Sequence, residues 1–311
     1  MKITKEAIDA IEQAAKDVIR WPDNRKWNSA DKDERFRGLF GAPSVVIAEI
    51  WERIIPMVEE KTYRKHLLWG LIFLKVYSIE EVHCALVGHP TKKDFRQKSW
   101  HIVEMIAGLK ESIILLDNRF INSPTRQGRL IASLLTLDCT DCMINEPYPF
   151  HSMWSSVKFR GPGVKYEVAI AIYSNNICWG NGPFPASSNE SRIFHERLGT
   201  ELPVDEPVEV DSGPGGDDRL MKPGAGEGFQ QRKAKSVYRG RQETIFSRLK
   251  QFKVLDSHFR HTDSDKEVML YKHQSCFDAV LVVTQMKLMF GGDKLFNGGD
   301  KPGVYYMPRQ P

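Results

Sequence analysis

The hydrophobic period of the chain changes near residue 128, and that change limits the fold more than any single motif. Upstream, apolar residues recur at three- and four-residue spacing: Ile8, Ile11, Ala15 and Ile19, then Val46, Ile50 and Ile54. Such spacing lines one side of an α-helix. Ser44 precedes the second run and Pro56 ends it. A third run, "RKHLLWGLIFLKVYS", is apolar on most sides and belongs in the middle of a helical region. Downstream, "RLIASLLTLDCTDCMI", "SSVKFR", "KYEVAIAIYS", "NICWGN" and "PVEVD" are rich in Val, Ile, Leu and Thr, with turn signals such as "RGPG" and "SNN" between them. They read as strands of one sheet. Helices are expected over "NESRIFHERLG" and over 239–253, and a last one over "SCFDAVLVVTQMKLMF". The last carries Phe277, Val280, Leu281, Thr284 and Leu288 on one side and should pack on the sheet. The chain thus divides into a helical N-terminal domain, 1–120, an α/β domain, 128–291, and an irregular tail, 292–311.

Within the helical part, "SIEE" from Ser78 to Glu81 has capping-box spacing, Gly88 is placed to stop that helix, and Thr91 with Asp94 can start another. Two short helices joined by a tight turn resemble a helix-turn-helix. Lys92, Lys93, Arg96 and Lys98 at the start of the second could contact phosphates, or they could form a solvated face of an all-helical domain.

The 311 residues, 41% hydrophobic, suffice for one large domain or two modest ones. The longest apolar candidate for a membrane span, "FDAVLVVTQMKLMF", is too short and carries Lys287, so no membrane association is expected. The N-terminus is a charged amphipathic helix without a signal core, which argues against secretion. Five scattered cysteines suit reduced thiols in cytosol or nucleus. A net charge of +4 is only mildly basic, but its distribution is uneven. Residues 203–218 hold Asp205, Glu206, Glu209, Asp211, Asp217 and Asp218 with no base, while 232–253 hold eight bases against one acid, Glu243. The first block suits cations and the second phosphates.

Asp138 follows "LIASLLTL", at or near the end of what should be a buried strand. A buried carboxylate is costly unless it is paired or bound to a metal. On a strand, Asp138 shares a face with Thr140 and Cys142, and its rival Asp141 points the other way with Cys139. Asp211 ends "PVEVD" directly before "SGPGG", and ligands of open α/β sheets collect at such strand ends. One such Asp alone reads better as a turn or cap residue; two are harder to dismiss. Glu243 lies on the expected helix beside the stripe Ile245, Leu249 and Phe252, with Arg239, Ser247 and Lys250 on its face. It is either a solvated partner of Arg239 or a third donor. Three carboxylates suit Mg²⁺ or Mn²⁺, and two such ions about 4 Å apart can drive phosphodiester cleavage.

Together, "LDCTDCMINEP", "SSVKFRGPGVKYEVAIAI", "WGNGPFPASSNESRIF", "EPVEVDSG" and "RGRQETIFSRLKQFKVLDSHFRH" resemble the DDE-type transposases of the PIF/Harbinger superfamily. "RFRGLFGAPSVVIAEIW" and "LLWGLIFLKVYSIEEVHCALVGH" resemble the helical part that precedes their nuclease domain, so the likeness runs from about residue 35 to 290. It implies a ribonuclease-H-like catalytic domain, a mixed sheet flanked by helices. Asp138, Asp211 and Glu243 would be the three acids, binding two Mg²⁺ (or Mn²⁺) ions. It also implies cleavage of double-stranded DNA at transposon ends and transfer of the 3′-OH strand to target DNA. Arg239, Arg241, Arg248 and Lys250 would contact phosphates, with Ser247 less suited. A Myb-like partner would supply DNA binding and nuclear import, and the chain could act as a homo-oligomer. The likeness breaks at "SSNESRIF", where relatives often carry Asp and this chain has Asn189 and Glu190.

Two competing readings concern the same segments. Cys139 and Cys142 form a C-x-x-C, but on a strand they face opposite ways, and His258 and His261 are too distant in sequence to make an obvious zinc site with them. "RKAKSVYRGR" could instead be a nuclear-localisation signal. As a whole, the chain could also be a domesticated descendant that binds DNA or chromatin without cutting.

Overall fold

The computed structural model of the chain describes residues 3–20, 29–58, 61–88, 90–123, 125–126, 129–130, 133–149, 151–211, 216–222, 229–261 and 265–295. Seven helices come first: α1 (Lys5–Ile19), α2 (Ser29–Phe40), α3 (Ser44–Ile54), α4 (Arg64–Val76), α5 (Glu80–Leu86), α6 (Lys92–Gly108) and α7 (Lys110–Ile113). A short hairpin follows, β1 (Thr125–Arg126) and β2 (Arg129–Leu130), then β3 (Leu135–Met143), β4 (Ser155–Ser156), β5 (Gly161–Ala171) and β6 (Ile177–Pro185). Two helices, α8 (Glu190–Glu196) and α9 (Leu198–Glu201), lead to β7 (Val208–Val210) and β8 (Leu220–Met221). The described chain ends with α10 (Phe229–Lys250), α11 (Lys253–Asp256) and α12 (Lys266–Phe290). Among the described residues, no helix is long and apolar enough to cross a membrane.

The chain forms two compact units: residues 1–113 with 249–259 and 271–293, and residues 114–248 with 260–270 and 294–311. The helical unit is built around α4, whose residues from His66 to Leu74 are all buried, as its all-round apolar sequence requires. Gly70 lets α6 approach α4, since a Cβ there would collide with Ile102. Gly41 turns the chain at φ 78°, and its missing side chain leaves room for the Phe252 ring. Thr91 starts α6 as expected, its hydroxyl accepting from the Asp94 N–H at 3.1 Å. The start of α5 differs. Ile79 stands at its N-cap, and it is His83 Nε2, not a glutamate, that accepts the Ser78 N–H at 2.9 Å. The last helix also differs from expectation: residues 271–293 group with the helical unit. From Ser275 to Leu288 every residue is buried, so this part of α12 is covered on all sides rather than on the one a sheet would cover.

The other unit is a mixed sheet flanked by helices. Its strand order runs β6, β5, β3, β7, β8, with β4 paired to the start of β5. β3–β5 and β5–β6 are antiparallel, whereas β3–β7 and β7–β8 are parallel. From Gly163 to Ala171, β5 is buried at every position, as a central strand must be. Leu135, Leu137, Ala169 and Val208 of the sheet pack with Phe194 and Leu198 of the α8–α9 segment and with Tyr238 of α10. Each large side chain buried there contributes about 1.5–3 kcal/mol.

The expected tail, 292–311, lies outside the described residues from 296 onward, as does "SGPG" at 212–215.

Candidate functional site

The parallel register of β3 and β7 builds the site. Leu135 pairs with Val208, Thr136 with Glu209 and Leu137 with Val210. One step further stand Asp138 and Asp211, so two carboxylates fall side by side on neighbouring strands, which run about 4.8 Å apart. β7 ends at Val210 while β3 continues to Met143. A crevice therefore opens where the strands part, the position at which ligands of open α/β sheets collect. Asp138 and Asp211 line a cavity of ≈ 290 Å³ together with Thr136, Glu209, Arg239 and Gln242. They also line a smaller one of ≈ 40 Å³ with Glu190 and Ser191 at the start of α8.

Helix α10 is clamped over these strands. Gln242 is buried; its Oε1 accepts from the Thr136 hydroxyl at 3.0 Å and its Nε2 donates to the Val168 carbonyl at 2.8 Å. Val168 is the β5 neighbour of Asp138, so this amide ties the helix to both strands at the site. Arg241 is buried too and donates to the carbonyls of Ala171, Ile172 and Ser174 at 2.6–2.8 Å. The same anchoring turns Arg239 and Glu243 outward. Nη2 of Arg239 lies 3.3 Å from Asp211 Oδ2, and its Nε donates to Glu243 Oε1 at 3.3 Å.

Burial pushes the Asp138 carboxyl up to about 6. The Cys139 N–H, donating to its Oδ1 at 2.7 Å, opposes the shift, as does Lys158, while Glu190 and Asp211 add to it by charge repulsion. Such a carboxylate gains from any cation placed beside it. Its donor set, oxygen only, suits hard Mg²⁺ or Mn²⁺ in kind. The neighbouring Asp211 already has a cation, the Arg239 guanidinium. Among the described residues no three His, Cys, Asp or Glu side chains are close enough together to hold a metal ion, so the three acids are not assembled around one point. Asp138 and Asp211 adjoin each other, and Glu243, which is exposed, connects to them through Arg239.

Other expected residues take different places. Arg241 is not a phosphate contact: its guanidinium is consumed by three backbone carbonyls inside the unit. Nη2 of Arg248 donates to the Lys294 carbonyl at 2.8 Å, and Lys250 is half-buried at the end of α10. In the helix pair, Lys92 is paired with Glu81, and Arg96 with Glu80 at 2.5 and 2.6 Å, while Lys93 is exposed. Those first-turn bases thus hold α5 to α6. The base-free acidic block is also partly spent on structure. Glu206 accepts from buried Arg119 at 2.9 Å, Glu209 from the Ser133 hydroxyl at 3.1 Å, and Asp217 from Arg219. Arg219 holds the Asp217 carboxyl far below the usual range.

Asp141 takes the face opposite Asp138, where its Oδ2 accepts from the Ser156 hydroxyl at 2.5 Å. Cys139 and Cys142, three apart on β3, face opposite ways, and all five cysteines are buried and outside any disulfide.

Gln242 has no place in the sequence reading, Arg241 stands there as a phosphate contact, and Glu190 only as a break in the likeness. Gln242 and Arg241 continue the three- and four-residue spacing of Tyr238, Ile245 and Leu249, which was the available signal for their burial. Glu190 gave less. It follows the cap Asn189, whose side chain accepts from the Arg192 N–H at 3.2 Å, and reads as an ordinary first-turn acid. No protein family, curated protein or solved structure matches the chain.

Proposed function

We propose that the chain is a metal-dependent DNA endonuclease and strand transferase of the DDE type, allied to the PIF/Harbinger transposases. On this reading the sheet unit is a ribonuclease-H-like catalytic domain, and the N-terminal helices form a helical domain to which residues 271–293 also belong. One observation carries the proposal: the register that sets Asp138 beside Asp211 in a crevice rimmed by Arg239, which in turn pairs with Glu243. The mixed sheet, with the first acid on its central β3 and the second at the end of a parallel neighbour, supports the fold assignment.

Asp138 and Asp211 would hold one or two Mg²⁺ (or Mn²⁺) ions, with Glu243 completing the shell. Bound there, the metal would supply Lewis-acid stabilisation of the attacking and leaving oxygens of a phosphodiester. Gln242 keeps α10, and with it Glu243, in register with Asp138. The raised proton affinity of Asp138 makes protons compete with the metal below about pH 6. Arg239, at the cavity rim, is placed for a phosphate of double-stranded DNA. A Myb-like partner, self-association and a nuclear location belong to the same proposal.

The test is nicking, in Mg²⁺ and with any partner, of DNA taken from the two flanks of the gene. Wild type should release 3′-hydroxyl ends, and Asp138→Asn or Asp211→Asn should fall to background. Equal nicking by all three proteins would sink the assignment. Binding without nicking would favour a non-cleaving descendant, a reading supported by the way Arg239 already neutralises two of the acids.

A further inference from the structure

We infer that Arg239 is a displaceable cation, holding Asp211 and Glu243 together until a divalent ion takes its place and then turning to the DNA backbone. The inference rests on the metal reading above. Its contact with Glu243 is one any helix offers at four-residue spacing, but its contact with Asp211 joins α10 to the end of β7, 28 residues away in the chain. One guanidinium therefore spans two of the three proposed metal ligands.

The surroundings allow it to leave. Its side chain is 61% exposed, and a Cβ built on the adjacent Gly240 would meet nothing within 4 Å. Arg241, two residues on, shows the contrast, since burial and three carbonyl acceptors fix it. The charges favour exchange. A guanidinium offers one diffuse positive charge, whereas a hard dication offers two at short range to carboxylate oxygens. Once displaced, the guanidinium stays at the rim of the ≈ 290 Å³ cavity, where its planar fork suits a phosphate. The same side chain would thus prevent acid–acid repulsion without metal and contact DNA with it.

Titration calorimetry of the full chain with Mn²⁺ tests this on wild type, Arg239→Gln and Asp211→Asn, with circular dichroism to confirm folding. Removing the competing guanidinium should tighten Mn²⁺ binding roughly threefold to tenfold, the size of two exposed ion pairs. Arg239→Gln should also weaken DNA binding in Ca²⁺ while leaving it unchanged in chelator. Mn²⁺ affinity that is equal or weaker in Arg239→Gln, with Asp211→Asn still abolishing binding, overturns the displacement and leaves the metal site standing. Failure of all three proteins to bind Mn²⁺ overturns both.

Discussion

In the helical unit the strongly shifted buried groups include histidines held neutral, with burial lowering His66 to about 4 and His273 to about 3. Its buried Asp278, pushed up by burial, is answered directly by Lys110 at 2.9 Å. In the sheet unit the buried shifted groups include two carboxyls, with burial raising Asp138 to about 6 and Glu167 to about 7. Glu167 Oε2 accepts from the Trp179 indole at 2.7 Å, but its buried Oε1 has no hydrogen-bond partner. Burial thus costs the helical unit chiefly through its imidazoles and the sheet unit chiefly through its carboxyls.

The two units should respond to acid in opposite directions. A histidine whose folded pKa lies below its unfolded 6.5 binds fewer protons in the folded state. Its stabilisation is complete above pH 6.5 and is lost as pH falls toward 4. A carboxyl whose folded pKa lies above its unfolded value binds more protons when folded. The sheet unit therefore gains stability as pH falls from about 7 toward 4. Hydrogen exchange between pH 7.5 and 5 should show protection falling in α4 and rising in β5; parallel changes in the two would break the contrast.

Substitutions sharpen it. The largest effect should come from Arg241→Leu, which strands three buried carbonyls and should destabilise the sheet unit by about 3–5 kcal/mol in urea unfolding. Glu167→Gln keeps an acceptor for Trp179 and removes the titration. It should stabilise by roughly 2–3 kcal/mol at pH 8 and by little at pH 5. His66→Asn preserves an acceptor for the Tyr63 N–H, which now reaches His66 Nδ1 at 3.1 Å. It should reduce the acid-induced loss in α4 by about 2 kcal/mol at pH 5, whatever it costs at neutral pH. Arg96→Gln, at an exposed ion pair, should change stability by less than about 0.5 kcal/mol.

Much of the site was legible because strands alternate strictly. Placing Asp138 at the end of an apolar run already set Asp141 on the other face, and Asp211 repeated the pattern on β7. Helix boundaries were less legible. α10 begins at Phe229 and α12 at Lys266, about ten residues ahead of the expected starts; in α10 the added stretch is rich in Gln, Lys and Arg, which extend a helix without marking a buried side. Nor could charge type separate Arg239 from Arg241. Two residues apart on a helix they point about 200° away from each other, and it is the spacing from Tyr238, Ile245 and Leu249, not charge, that marks Arg241 as the buried one. Glu190 came to the site through the fold of α8 against β3, a proximity that no local pattern encodes.

The most direct test is the anomalous signal of Mn²⁺ in crystals of the chain. A peak between the carboxylates of Asp138 and Asp211, with the Arg239 guanidinium withdrawn from Asp211, is the predicted result. A peak elsewhere, or none, with Arg239 still bridging Asp211 and Glu243 at millimolar Mn²⁺, would contradict the account.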